Sequence, residues 1–371
     1  MSMVRPRLPK LPKSVEEAAE WYMRYVSPLT LVAALLIDTF FLLRRVDTLL
    51  TSLVLFFYLS LAASIIVLIG LIQTGKLQQW WLLKITPFLP VVSQYAFGGL
   101  FIAFLSLYSR SAAFTVTWIF VGALAVLLIA NERFVRFYMR FSFQVSILFT
   151  VLFSFLIFYI PILFGVIGPY VFFASGVTSL VVITGFLYLQ SYLTPELVRI
   201  ERTVIARSIA TIFTVFNILY FTGAIPPLPL ALKESGVYHD VVRRDSEYRL
   251  LGEEGGWYMK FLPQQTVFHR APGESAYVFT AIFAPAGLTT TIVHEWQHYD
   301  EAKREWVTDE TIPFFIVGGR EAGYRGYSVK TDLTEGSWRV NVKTEFGQVI
   351  GRVSFRVDDV TSPVPLEVSV H

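Results

Sequence analysis

The chain has 371 residues, of which 54% are hydrophobic and only 16% charged, with a mean hydropathy of +0.56; soluble domains carry nearer ~25% charge, so an ordinary soluble globule is excluded and a membrane protein is expected. Zero cysteines exclude a disulfide scaffold, a Cys-ligated zinc, an iron-sulfur cluster and a thiol nucleophile. The net charge of +3 hides two unlike halves, with sixteen Lys and Arg against eight Asp and Glu up to Leu230, and fifteen against twenty beyond it.

Residues 1–25 are polar, basic and proline-rich, with no short apolar core before a small-residue cleavage site, so they are read as a retained cytoplasmic segment. Crossing ~30 Å of hydrocarbon takes about 20 apolar residues. Seven such runs are predicted within a transmembrane domain at 26–230, at 26–43, 48–72, 82–107, 112–130, 143–164, 166–190 and 205–225. Trp21-Tyr22 and Trp80-Trp81 lie at run edges, where amphipathic rings prefer the headgroup level. Phe164 to Pro169 breaks two runs by Gly and Pro alone, a short outer hairpin.

Short-loop Lys and Arg fall mostly on one side, at Lys76, Arg133, Arg136, Arg140, Arg199 and Arg202 together with the basic N-terminus, against Arg44, Arg45 and Arg110 on the other. The positive-inside rule then places the N-terminus in the cytoplasm of a bacterial inner membrane and residues 231–371 in the periplasm. Asp38 is the acidic residue well inside a run; it is expected to pair with Arg44 or Arg45 near the outer end or with a polar group on a neighbouring helix, or else to serve an ion-coupled channel or transporter. Gln94, Gln144 and Asn217 are expected to hydrogen-bond between helices.

Ile225-Pro226-Pro227-Leu228-Pro229-Leu230 ends the helical half as an extended neck. Beyond it, alternation with period two replaces helical periodicity. Strands are predicted at 247–251, 257–262, 276–284, 289–299, 305–317 and 324–331, followed by a hairpin. In that hairpin Trp338, Val340 and Val342 alternate with Arg339, Asn341 and Lys343, then Val349, Gly351, Val353, Phe355 and Val357 with Ile350, Arg352, Ser354 and Arg356. About eight short strands in ~140 residues predict an antiparallel β-sandwich of immunoglobulin-like size, without its Cys-Trp-Cys hallmark.

His294-Glu295-Trp296-Gln297-His298 spells the zinc-peptidase motif H-E-x-x-H, in which two histidines one helical turn apart bind zinc and the glutamate activates water. The spacing works only on a helix, and the preceding Thr289-Thr290-Thr291-Ile292-Val293 favours a strand. In a strand the histidines stand about 13 Å apart at ~3.4 Å per residue, too far to share one ion. The favoured reading has no catalytic residue, metal or other cofactor. It places Ile292, His294, Trp296 and His298 on one strand face; a membrane-anchored zinc hydrolase using His294, His298 and Glu295 is the alternative. Gly318 to Tyr327 is read as a glycine-permitted loop whose Arg320, Tyr324, Arg325 and Tyr327 bind an acidic or sugar-like partner, with His294 and Trp296 as further binding candidates. The stripe Arg339, Lys343, Arg352 and Arg356 is read as a solvated sheet face.

Ala276 to Ile282, His294-Glu295-Trp296, Gly318-Gly319-Arg320, Gly326 to Lys330, Gly336-Ser337-Trp338-Arg339-Val340 and Gly347 to Arg352 together resemble a bacterial family known as a domain of unknown function. The neck and the multispanning region before it are similar to the membrane half of that family's longer members. The resemblance implies that His-x-Trp in a strand is the recurring element, with Glu295 and His298 incidental; it implies no substrate, cofactor or catalytic residue. The expected function is a non-enzymatic membrane protein whose partners are the lipid bilayer and an envelope protein or polysaccharide, with no nucleic acid.

Overall fold

A computed structural model describes residues 48–111, 114–133, 135–226, 229–244, 247–253, 266–362 and 364–371. The N-terminal segment, the first apolar run with Asp38, and the strand expected at 257–262 lie outside the described residues.

The other six apolar runs form helices: α1 (Leu49–Gln73), α2 (Trp80–Ile85) with α3 (Leu89–Ser111), α4 (Phe114–Arg133), α5 (Phe141–Phe164), α6 (Pro169–Leu193) and α7 (Pro195–Phe221). Five stretches, Leu49–Gln73, Thr86–Tyr108, Phe141–Phe164, Pro169–Leu193 and Pro195–Phe221, are long and apolar enough to cross a membrane. In α4 the apolar portion is the shorter Trp118–Ala130. Pro87 converts the start of the third run into a 3₁₀ turn at Thr86–Phe88, separating α2 from α3, because proline lacks the amide donor a continuous helix needs. The last helix starts ten residues earlier than expected. Pro195 sits at its first position, where the missing donor costs nothing, and the added turns carry Glu196, Arg199, Glu201 and Arg202. Asn217, expected to bridge helices, instead donates to the Phe213 carbonyl one turn back at 2.8 Å. Gly165 and Gly168 turn the chain between α5 and α6 at φ +67° and +131°, values glycine adopts without penalty.

The described residues form two compact units. One gathers those up to Leu107, Val121–Ile157 and Ala174–Ile218; the other gathers Tyr108–Phe120, Phe158–Phe173 and Leu219–His371. The second is dominated by eleven strands: β1 (Ala231–Tyr238), β2 (Asp240–Arg244), β3 (Glu247–Glu253), β4 (Thr266–Arg270), β5 (Ala276–Phe283), β6 (Thr289–Asp300), β7 (Glu305–Val317), β8 (Tyr324–Lys330), β9 (Gly336–Thr344), β10 (Val349–Asp359) and β11 (Leu366–Val370). They make sheets ordered β1-β5-β8, β4-β10-β9-β6-β7 and β11-β3-β2.

Two features differ from the expected antiparallel sandwich. Strand β4 runs parallel to β10, so the five-stranded sheet is mixed. There are also three layers. Ala276 and Val278 of β5 face a core shared with Trp296, Trp338, Val340 and Phe355, whereas Phe279 and Ala281 face Val241, Tyr248 and Leu250 of the third sheet. The near-continuous apolar sequence of β5 is what burial on both faces requires. Strands β1, β2, β4 and β11 went unpredicted because each is short or weakly alternating.

The β9–β10 hairpin forms in the expected register, except that a bulge between Val349 and Gly351 turns Ile350 inward, where it is 2% exposed. Gly351 follows because Leu232 packs against its Cα. Loop residue Ile167, between α5 and α6, joins Leu230, Ile282, Leu288 and Ile292 in a second core cluster of the same unit.

Candidate functional site

His294 to His298 lie on β6, an inner strand of the mixed sheet between β9 and the edge strand β7. Alternation sends His294 and Trp296 inward, both 0% exposed, and Glu295 to the opposite face. His294 Nε2 lies 3.0 Å from Thr280 Oγ1 of β5, and its Nδ1 lies 2.8 Å from Ser328 Oγ of β8. Trp296 Nε1 donates to that same Ser328 oxygen at 3.0 Å. A consistent assignment runs Trp296 N–H to Ser328, Ser328 O–H to His294 Nδ1, and His294 Nε2–H to Thr280. His-x-Trp is therefore a polar bridge between two sheets. Burial pushes the His294 pKa down to about 3, so the ring is neutral at physiological pH.

On the outer face Glu295 meets Lys343 Nζ at 2.5 Å and accepts from Asn341 Nδ2 at 2.8 Å. Burial alone would raise its pKa, but these contacts outweigh it and hold the carboxyl below its usual value. Gln297 accepts from Arg339 Nε at 2.7 Å, and Arg352 Nε donates to Asn341 Oδ1 at 2.7 Å. Three of the outward stripe, Arg339, Lys343 and Arg352, thus form an interlocked polar network, whereas Arg356 stays solvated beside Asp358; Arg339 also covers the Trp306 ring at 4.2 Å. His298 stands beside Trp338, with ring centroids 5.4 Å apart, and beyond a bulge after Trp296. The elements of H-E-x-x-H are therefore distributed over both faces of one strand. Among the described residues no three His, Asp or Glu side chains converge on a metal position. Candidate binding residues His294 and Trp296 are enclosed in the core, which removes them from any solvent-facing site.

The glycine-rich loop behaves differently. Gly318 N–H donates to the Leu288 carbonyl at 2.9 Å, Gly319 N–H to Ala284 at 3.0 Å and Gly323 N–H to Arg320 at 3.1 Å, fixing the loop over the end of β5. Gly319 and Gly323 take φ of +101° and +91°. A Cβ on Gly323 would fall 3.0 Å from the Ile282 backbone, so only glycine seats this close.

The fixed loop helps line a cavity of about 350 Å³ with Arg320, Glu321, Ala322 and Gly323, joined by Arg325 of β8, Arg243 of β2 and Tyr248 of β3. Arg243 and Tyr248 are paired across the β2–β3 ladder, and the guanidinium lies 5.8 Å from the ring centroid. Tyr248 Oη donates to the Arg325 carbonyl at 3.3 Å. Among the described residues neither Arg243 nor Arg320 has a carboxylate within 4 Å. Three arginines against one glutamate make the walls net cationic inside a domain of net negative charge. Planar guanidinium forks suit carboxylate or phosphate oxygens.

Of the expected binding residues, Arg320 and Arg325 meet in this cavity. Tyr324 lies beneath Arg320, whose guanidinium is 5.3 Å from its ring. Tyr327 lies to one side, against Tyr248 and Tyr277 at 6.4 and 6.2 Å. Arg243 and Tyr248 escaped sequence reasoning: they precede the loop by some seventy residues in a strand pair with little alternation, and only the stacking of the third sheet on β5 brings them there.

Among known proteins, the family described as "Protein of unknown function (DUF2914)" matches residues 289–357, the span of β6 to β10. No curated protein matches the chain. Among solved structures, the Pseudomonas fluorescens alkylpurine DNA glycosylase AlkC bound to DNA containing an abasic site analog aligns at 10% identity over 81% of this chain and 97% of that one; its TM-score of 0.19 denotes no shared fold.

Proposed function

We propose that the chain is a bacterial inner-membrane protein with a cytoplasmic N-terminus, whose β domain faces the periplasm and binds an anionic group of an envelope component through the Arg243, Arg320 and Arg325 cavity. Support for the membrane assignment comes from five stretches of 23 to 27 residues with hydropathy 1.7 to 2.6, and from the one-sided distribution of Lys and Arg. The observation that carries the binding reading is the convergence of three arginines, from β2, a glycine-fixed loop and β8, on one cavity. Guanidinium forks brought to one wall can meet a carboxylate or phosphate with paired N–H donors, which a lone ammonium cannot do.

Calorimetric titration of the full-length chain in detergent with galacturonic acid, and separately with inorganic phosphate, tests the site. Saturable binding of at least one anion, weakened by Arg243→Ala and Arg320→Ala, is expected; no binding of either anion overturns the reading. Location is tested independently, because the native chain has no cysteine. Lys303→Cys, in an exposed turn of the β domain, should react with a membrane-impermeant maleimide in cells with a permeabilised outer membrane. Protection until the inner membrane is lysed would place the domain in the cytoplasm.

A further inference from the structure

A second cavity of about 650 Å³ adjoins the first, and Ala322 lines both. Its other walls are Leu232 to Ser235 and Tyr238 of β1, with Ser369 and His371 at and beyond the end of β11. The two cavities differ in chemistry. The first is cationic, whereas the second offers hydroxyls at Ser235 and Ser369, an ammonium at Lys233, and a Glu234 carboxylate 3.0 Å from His371 Nδ1. Donors and acceptors alternate there without a concentrated charge of either sign, which suits a ligand bearing many hydroxyls.

Tyr238 is held as a flat wall of this second cavity. A Cβ on Gly236 would fall 2.8 Å from its hydroxyl oxygen, and one on Gly252 would fall 3.2 Å from its ring, so the ring rests across two glycines of β1 and β3. Phe279 braces it edge-on at 6.3 Å. Burial, reinforced by Glu234, pushes the phenol up to about 12, and the ring stays neutral. A neutral aromatic face offers an apolar, electron-rich platform to the C–H face of a sugar ring.

The strand edge beside the cavity argues against a peptide added as an extra strand. Strand β1 is the outer member of its sheet, but its ladder slips between Leu232 and Glu234, placing Lys233 at a bulge. Bulges and lysines on edge strands disfavour further pairing.

We propose that the two cavities form one cleft for an extended acidic glycan, with a carboxylate of one unit at Arg243, Arg320 and Arg325 and a neighbouring sugar ring against Tyr238. This rests on the anion-site reading above and names its ligand class. The test compares galacturonic acid with tetragalacturonic acid, by titration of the full-length chain in detergent, with a tetraglutamate peptide as a third probe. The tetrasaccharide should bind at least about tenfold tighter than the monosaccharide, a gain of ~1.4 kcal/mol. Ser235→Trp, at an exposed position lining only the second cavity, should erase that gain and leave the monosaccharide affinity unchanged, whereas Arg243→Ala should weaken both sugars. Equal affinity for both sugars overturns the extended cleft and leaves the anion site standing. Tetraglutamate binding as tightly as the tetrasaccharide overturns the glycan and points to an acidic peptide. No binding of any probe removes the cleft and the anion site together.

Discussion

His294 offers a test of the buried bridge that depends on the sign and size of a single titration. Its imidazole is wholly enclosed, both nitrogens face hydroxyls of the opposing sheet, and burial lowers its pKa from 6.5 to about 3. An unfolded chain takes up a proton near pH ~6.5, which the folded chain refuses until about pH 3. The contribution to stability is therefore complete above pH ~6.5 and is lost progressively as pH falls toward 3. Weighing proton uptake by the two states at pH 5 gives a loss of about 2 kcal/mol, from ~1.36 kcal/mol per pKa unit. Hydrogen exchange followed by mass spectrometry on the full-length chain in detergent isolates this loss, because peptides covering β6 report the opening of that strand. Corrected for intrinsic exchange, protection of those peptides should fall about 30-fold between pH 7 and pH 5 from this group alone. His294→Gln supplies a donor and an acceptor without a titrating proton, so the pH dependence of its β6 should be flatter by that factor. Equal pH dependence in the two chains would refute a neutral, desolvated imidazole at this position.

Ser328→Ala removes the oxygen that serves both Trp296 Nε1 and His294 Nδ1; at ~1–3 kcal/mol for each orphaned group, denaturant unfolding of the β domain should show a loss of about 2–6 kcal/mol. A loss under ~1 kcal/mol would mean the bridge contributes little beyond packing. Gly323→Ala combines a positive φ with a close backbone contact, and should cost about 1–3 kcal/mol and weaken galacturonic acid binding by displacing Arg320. Trp338→Ala opens the largest gap among the substitutions considered, in a core where Trp338 is 1% exposed, with an expected loss of about 3–5 kcal/mol in the same unfolding assay. Lys343→Met leaves Glu295 without its 2.5 Å cationic partner, so the Glu295 carboxyl should titrate at higher pH, as read by carbon-13 NMR of labelled glutamate.

Sequence alone determined the change from helices to strands near Leu230, the helical character of the first half, and the strands whose alternation is strong. Those features depend on patterns within about twenty consecutive residues, and the physics that reads them is local: hydrocarbon thickness, proline's missing donor and the period-two pleat. It also favoured a strand for H-E-x-x-H, from the β-branched residues before it, and the structure places the motif on β6. Tertiary structure decided the rest. Nothing around Val241, Tyr248 or Leu250 in the sequence announces that these three side chains cover β5, since a face is recognised as covered only once its partner sheet is placed. The third layer and the parallel pairing of β4 with β10 arise from contacts between distant segments. The arginine cavity follows the same rule. Arg320 lies in a loop whose glycines were visible in sequence and Arg325 in the strand that follows it, but Arg243 joins them only because the sheet carrying it packs on β5, bringing together charges that the linear chain holds far apart.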